Sequence, residues 1–252
     1  MDLGLQGRVA AVIGGSHGLG YAIAESLLAE GGRVAICARD SSRLKAAATA
    51  LGAGVFAHAV DVVAPGAAEA FIQSTAEHFN GLDILVHNAG GGGGSSLDAP
   101  DQDFRQAVDL NVLAGLRAAR AAVPHMRRRQ RGRIIFIASV YGRESGGRIG
   151  YNLAKAAEIS LAKALSRELA ADNILVNSVA PGSLMFPGSS WERRQQADPQ
   201  GLAAFVKSDL PLGRFGTPKE VAAVVTFLAS DRASLVSGSC WTVDGGQSRS
   251  LI

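Results

Sequence analysis

The chain has 252 residues, 47% hydrophobic and 19% charged, with a net charge of +3. A sequence this apolar can bury a large core; it is neither a disordered tail nor a strongly basic nucleic-acid binder. Two cysteines, Cys37 and Cys240, exclude a disulfide framework or a multi-cysteine metal centre.

Both thiols are expected to be buried, in a reducing cytoplasmic setting with no bound metal. The first residues carry no basic stretch followed by an apolar run. No segment approaches the roughly 18 apolar residues of a membrane span, so a soluble protein without a membrane partner is expected.

Short apolar runs alternate with longer amphipathic stretches. Strands are predicted over residues 8–13, 33–38, 55–59, 83–86, 133–138, 174–179 and 239–243. Helices are predicted over residues 19–30, 42–51, 67–79, 104–126, 151–171 and 219–228. This is the pattern of βα units whose crossovers join parallel strands. It predicts a single α/β domain over residues 1–252, a doubly wound sheet of about seven parallel strands flanked by helices. Residues 183–212 break the alternation with Pro187, Trp191, Pro199, Phe205 and Pro211, and are expected to form a lid over a substrate pocket. The basic run Arg127, Arg128, Arg129 and Arg131, with Arg133 behind it, suits a solvated helix C-terminus or an acidic partner.

Directly after the first strand comes Gly14-Gly15-Ser16-His17-Gly18-Leu19-Gly20, followed at once by a helix. Glycines there allow positive φ and close approach to a pyrophosphate, while the helix presents its free N–H groups and positive dipole end. That is the physics of a Rossmann-type dinucleotide loop. At the end of the second strand an acidic residue would bind a ribose 2′-hydroxyl. Here Ala38 is followed by Arg39, whose planar fork suits a 2′-phosphate, with Asp40 partly offsetting it.

Tyr151 and Lys155 are four apart at the start of a strong helix pattern and so share one face. An ammonium beside a phenol favours the phenolate, which moves a group of pKa near 10 toward useful acid/base chemistry. Ser139 ends the fifth strand, where the carboxyl ends of parallel strands form the ligand crevice, and its hydroxyl can donate to a carbonyl oxygen.

These segments together resemble the short-chain dehydrogenase/reductase family. The loop from Gly14 to Gly20 is similar to the family's T-G-x-x-x-G-x-G segment, with Ile13 in place of threonine. The resemblance implies that Ser139, Tyr151 and Lys155 are the catalytic set and that Asn111 holds a water relay to the lysine. The spacing from Ser139 to Tyr151 is twelve, against the family's usual thirteen. It further implies cofactor contacts from Gly14, Ser16, His17, Gly18, Leu19, Gly20 and Arg39, and from Asp61 and Val62 beside adenine. Asn88, Ala89 and Gly90 match the N-N-A-G segment, with His87 in place of its first asparagine. Pro181 and Gly182 match the segment beside the nicotinamide carboxamide.

NADP(H) is favoured over NAD(H), because Ala38 holds a position that is acidic in NAD-preferring members. The activity implied is hydride transfer between nicotinamide and a carbonyl or secondary alcohol. The pattern is most similar to 3-oxoacyl-carrier-protein reductases, and the run Arg127 to Arg131 could then dock an acidic carrier. Tyr141, Met185, Phe186, Trp191 and Phe205 are the expected substrate contacts, an apolar set suited to a hydrophobic ketone. A homotetramer is implied, with residues 104–126 and 151–171 packing between subunits. Alternatives are an NAD-dependent alcohol dehydrogenase of the same family, a non-catalytic dinucleotide-binding regulator, and a methyltransferase on a related sheet.

Overall fold

Val9, Ala11 and Ile13 of the first strand point to one core and Ala10 and Val12 to a second, and all five are buried. Side chains alternate across a strand, so a continuous apolar run can bury itself only where helices cover both faces of the sheet. The computed structural model describes residues 2–251 and shows that arrangement. Seven strands, β1 Val9–Ile13, β2 Arg33–Ala38, β3 Phe56–Ala59, β4 Ile84–His87, β5 Gly132–Ile137, β6 Ile174–Pro181 and β7 Cys240–Val243, form one parallel sheet. Its order is β3-β2-β1-β4-β5-β6-β7. The order reverses between β1 and β4, which opens a crevice beyond their carboxyl ends.

The expected strands and helices are present, with ends moved by one to three residues in most of them. Helices α1 Gly18–Ala29 and α2 Ser41–Leu51 follow β1 and β2, and α3 Ala67–Phe79 follows β3. The single helix expected over residues 104–126 is three pieces: α4 Asp101–Val108, a π-helical turn Asp109–Leu113, and α5 Ala114–Arg128. Helix α6 spans Ile149–Glu168.

The segment 183–212 contains two helices that were not expected, α7 Ser190–Ala197 and α8 Pro199–Asp209. Their caps are nonetheless conventional. The Ser189 hydroxyl accepts from the Glu192 N–H, and Asp198 accepts from the Gly201 N–H with Pro199 in the first turn. Helix α9, Pro218–Ala229, precedes β7. Among the described residues no helix is long and apolar enough to cross a membrane.

One expectation needs correction. Cys37 is buried, which pushes its thiol up to about 12, but Cys240 is only partly buried. Most of the arginine run is paired with neighbouring groups. Arg127 pairs with Asp172 at 2.8 Å, and Arg129 donates to the Asn80 carbonyl at 2.7 Å. Arg131 reaches Asp83 at 3.4 Å, and Arg133 reaches Asp231 at 3.7 Å. Buried Asp83 also accepts from the Val9 N–H at 2.9 Å, so these cations tie down the amino ends of β1, β4 and β5, at the opposite end of the sheet from the crevice.

Phe71 on α3 is fully buried against the sheet. Phe71→Ala is expected to lower stability by about 3–5 kcal/mol. Urea unfolding checks this as a reduced midpoint with an unchanged slope.

Candidate active site

The loop after β1 turns sharply because Gly14 has φ +78° and Gly18 φ +53°, a region where L side chains are strained. The N–H groups of Gly14 and Gly15 donate to the Cys37 carbonyl at 3.0 and 3.1 Å, fixing the loop to the end of β2. Beside it lies a cavity of about 340 Å³. Ile13, Gly14 and Ser16 form one wall, Asp61 and Val62 another, and Asn88, Ala89 and Gly90 the inner end.

Arg39 and Arg43 both line this cavity. Arg43 escaped the sequence reading, although it lies four residues beyond Arg39 in the first turn of α2. Asp40 accepts from the Arg43 N–H at 2.9 Å and the Ser42 hydroxyl at 2.7 Å, so it caps α2. Those bonds, the Arg43 N–H foremost, hold its carboxyl below the usual range. Its other oxygen lies 3.9 Å from the Arg43 guanidinium, so its charge is engaged by the start of α2 and by Arg43.

A second cavity, of about 260 Å³, adjoins the first, and Asn88 and Gly90 line both. Its walls include Leu19, Ser139, Tyr151, Lys155, Pro181 and Gly182. The shorter spacing from Ser139 to Tyr151 therefore does not separate them. Ser139 also accepts from the Tyr141 N–H at 3.2 Å, capping a short 3-10 turn, Val140–Gly142. The Lys155 Nζ is 5.7 Å from the centre of the Tyr151 ring. It donates to the Ile137 carbonyl at 2.7 Å and to Glu158 Oε2 at 2.7 Å.

Glu158 was missing from the sequence reading, although its place three residues after Lys155 on one helix was a usable signal. Burial pushes its carboxyl up to about 7 against the opposing pull of Lys155. Burial also pulls Lys155 down, but the negative charge of Glu158 overcomes this and raises it.

Asn111 and His87 support this cavity from behind. Asn111 sits in the π-helical turn, accepts from the Gly91 N–H at 3.0 Å, and donates to the Gly91 and Ala107 carbonyls at 2.9 and 2.7 Å. A Cβ added at Gly90 would lie 2.7 Å from Asn111 Oδ1 and 2.9 Å from Lys155 Nζ, so the glycine lets the two approach. His87 is fully buried, and its Nε2 lies 3.2 Å from the Leu110 carbonyl of the same turn. Burial, reinforced by Lys155, lowers it to about 3, so the ring is neutral and Nε2–H donates.

Several expected contacts lie elsewhere. His17, Gly18 and Gly20 line neither cavity. The His17 ring meets the edge of Phe186 at 5.3 Å, and the Gly18 backbone lies under the same ring, so the His17 side chain faces residues 183–212 instead of the arginine pair. Phe186 and Trp191 do line the second cavity, joined by Leu184, Ser189 and Ser190. Tyr141, Met185 and Phe205 do not. Phe205 stacks on Trp191 at 4.6 Å, and the Arg194 guanidinium lies 5.4 and 5.5 Å from the two ring centres. Composition identified this aromatic group, but which member would face the cavity depends on the helices α7 and α8.

The family model for enoyl-(acyl carrier protein) reductases matches residues 13–248. The 3-oxoacyl-[acyl-carrier-protein] reductase of Escherichia coli is 35% identical, over 97% of this chain and 98% of that one. The chain belongs to the short-chain dehydrogenase/reductase family. Among solved structures, L-sorbose reductase from Gluconobacter frateurii, complexed with NADPH and L-sorbose, superposes with a TM-score of 0.94. It is 37% identical, with complete coverage of both chains. The RhlG/NADP active-site complex of Pseudomonas aeruginosa gives 0.89 at 36% identity, covering 97% of this chain and 98% of that one. As a member of this short-chain family the protein is an oxidoreductase of carbonyl and hydroxyl groups.

Gly90→Ala is expected to push Lys155 and Asn111 apart and to reduce kcat/KM at least about tenfold, the equivalent of about 1.4 kcal/mol. Circular dichroism should show unchanged secondary structure, and wild-type turnover would contradict the close approach.

Proposed function

We propose that this protein is an NADP(H)-dependent ketoreductase of the 3-oxoacyl type. The observation that carries the reading is a pair of adjoining cavities that share Asn88 and Gly90, with two arginines lining one and Ser139, Tyr151 and Lys155 lining the other. These donors suit NADP(H). Arg39 and Arg43 would hold the 2′-phosphate, Asp61 and Val62 the adenine, Gly14 and Ser16 the pyrophosphate, and Pro181 with Gly182 the carboxamide. When bound, the cofactor supplies the hydride that reduces the carbonyl carbon.

The chain's own residues handle the oxygen. Ser139 donates a hydrogen bond to it, and Tyr151 delivers its phenolic proton to it. Lys155 has three N–H donors, two of them engaged by Ile137 and Glu158, and the third is free for the nicotinamide ribose. Asn111, joined to Gly91 by two hydrogen bonds, would hold the inner end of a proton path by fixing the Gly90–Gly91 segment beside Lys155. Residues 183–212 serve as the lid.

Leu184, Phe186 and Trp191 give the second cavity an apolar side suited to a hydrophobic ketone. The curated relatives named as 3-oxoacyl reductases support the acyl class, whether free or carrier-borne. Leu113, Ile149 and Leu153 are large apolar side chains left exposed beside α5 and on α6, which supports a homotetramer built on that face. The two free thiols accord with a reducing, cytoplasmic location.

The test is NADPH consumption with acetoacetyl-coenzyme A, L-sorbose and a 2-enoyl thioester. The expected kcat/KM for the 3-oxoacyl thioester is at least about tenfold above the others. Preference for L-sorbose would move the substrate to free ketoses, and turnover of none would favour a non-catalytic regulator. Tyr151→Phe should abolish reduction while leaving NADPH affinity nearly unchanged. Arg39→Ala and Arg43→Ala should each weaken NADPH by roughly 10- to 100-fold, as expected for a lost charge-assisted hydrogen bond. NADH affinity should hardly move, and equal binding of NADH and NADPH by the wild type would point to the NAD-dependent alternative.

A further inference from the structure

Glu158 stands one turn beyond Lys155 on α6, with no exposed side-chain surface. Its Oε2 lies 2.7 Å from Lys155 Nζ, and its Oε1 is buried without a hydrogen-bond partner. A carboxylate in such a place bears a desolvation cost that an apolar side chain of the same size would not. Its polar contact is with the lysine, so whatever the charge contributes is exerted there. Lys155 is held between the Ile137 carbonyl and Glu158, with one N–H left over on the side of Ser139 and Tyr151.

We propose that Glu158 is a positioning residue: the counter-ion that fixes Lys155 against Ile137 and keeps Tyr151 a phenol, so that carbonyl reduction persists to higher pH. This rests on the reading of Tyr151 as proton donor and Lys155 as its partner. A bare ammonium draws the neighbouring phenol toward phenolate, which has no proton to give a carbonyl oxygen. An ionised Glu158 makes the buried pair neutral and weakens that draw.

Other charges on the elements around α6 are otherwise engaged. His87 at the end of β4 is neutral. Asp109 of the π-helical turn pairs with Arg117 at 2.8 Å, and Asp101 and Arg105 of α4 pair on the surface, with Asp103 partly exposed beside them. Arg133 lies at the far end of β5 beside Asp231, and Asp172 is paired with Arg127. Tyr141 is kept protonated by burial and by Asp209 and Glu144. Strand β6 carries no ionisable side chain.

The experiment is the pH profile of kcat/KM for NADPH-dependent reduction of acetoacetyl-coenzyme A. The basic limb of the wild-type profile is the reference. In Glu158→Gln the amide oxygen can still accept from Lys155 but the charge is gone, and the fall should begin about one pH unit lower. Glu158→Asp restores the charge and should return the fall toward the wild-type position. Glu158→Leu also removes the acceptor and should add at least about a tenfold rise in NADPH Kd.

A folded Glu158→Gln enzyme with the wild-type profile would overturn the proposal. Should the variants fail to fold, carbon-13 NMR of glutamate carboxyls in the wild type decides it. One glutamate carboxyl should shift when NADPH binds, whereas a spectrum in which no glutamate carboxyl responds to NADPH would overturn the proposal. Tyr151→Phe separates the two ideas: full activity in that variant removes the catalytic reading itself, while loss of activity there with an unmoved Glu158→Gln profile removes only the role of Glu158.

Discussion

The Asn88 side chain donates to the Gly14 carbonyl at 3.0 Å, and the Asn88 N–H donates to the Ile13 carbonyl at 3.1 Å. Two hydrogen bonds thus lock the end of β4 to the loop after β1, at the point where the strand order reverses. Every later feature of the site depends on that lock. It brings the glycine loop and the Asn88–Gly90 segment close enough to form one wall, and that wall belongs to both cavities. The fold provides the crevice, and Asn88 stands where its two cavities adjoin.

Beyond the lock, the site depends on buried polar groups that satisfy one another. His87 and Asn111 secure the π-helical turn, and the turn places Asn111 across Gly90 from Lys155. Lys155 is held in turn by a main-chain carbonyl and a carboxylate. In a low-dielectric interior such bonds are strong and their loss is costly, so the arrangement is rigid where the proposed chemistry needs rigidity. Phe186 connects this end to the dinucleotide loop by lying over Gly18, so the segment between β6 and α9 contacts both the cofactor loop and the cavity with the reactive side chains.

Much of the architecture was legible in the sequence because a parallel sheet requires unbroken apolar strands and glycine-marked turns, and the two periodicities are easily told apart. Tyr151, Lys155 and Ser139 were legible for a similar reason, through helical spacing and strand-end position. The π-helical turn was not, because the one-residue shift of phase it introduces falls inside a run that reads as helix on both sides. Helices α7 and α8 were obscured by prolines read as interruptions, although Pro199 is in fact at a helix start. Arg43, the facing of His17 and the buried partner of Lys155 all depend on three-dimensional neighbours. His17 in particular resembles a phosphate ligand by its position in the loop, yet its ring faces Phe186.

The central claim is that the two adjoining cavities together hold one dinucleotide from the arginine pair to Tyr151. A crystal structure of the protein with NADPH tests it most directly. The 2′-phosphate should lie between Arg39 and Arg43, with the nicotinamide ribose within hydrogen-bond distance of Lys155. A 2′-phosphate away from both arginines, or a nicotinamide ring outside the cavity lined by Ser139 and Tyr151, would contradict the account.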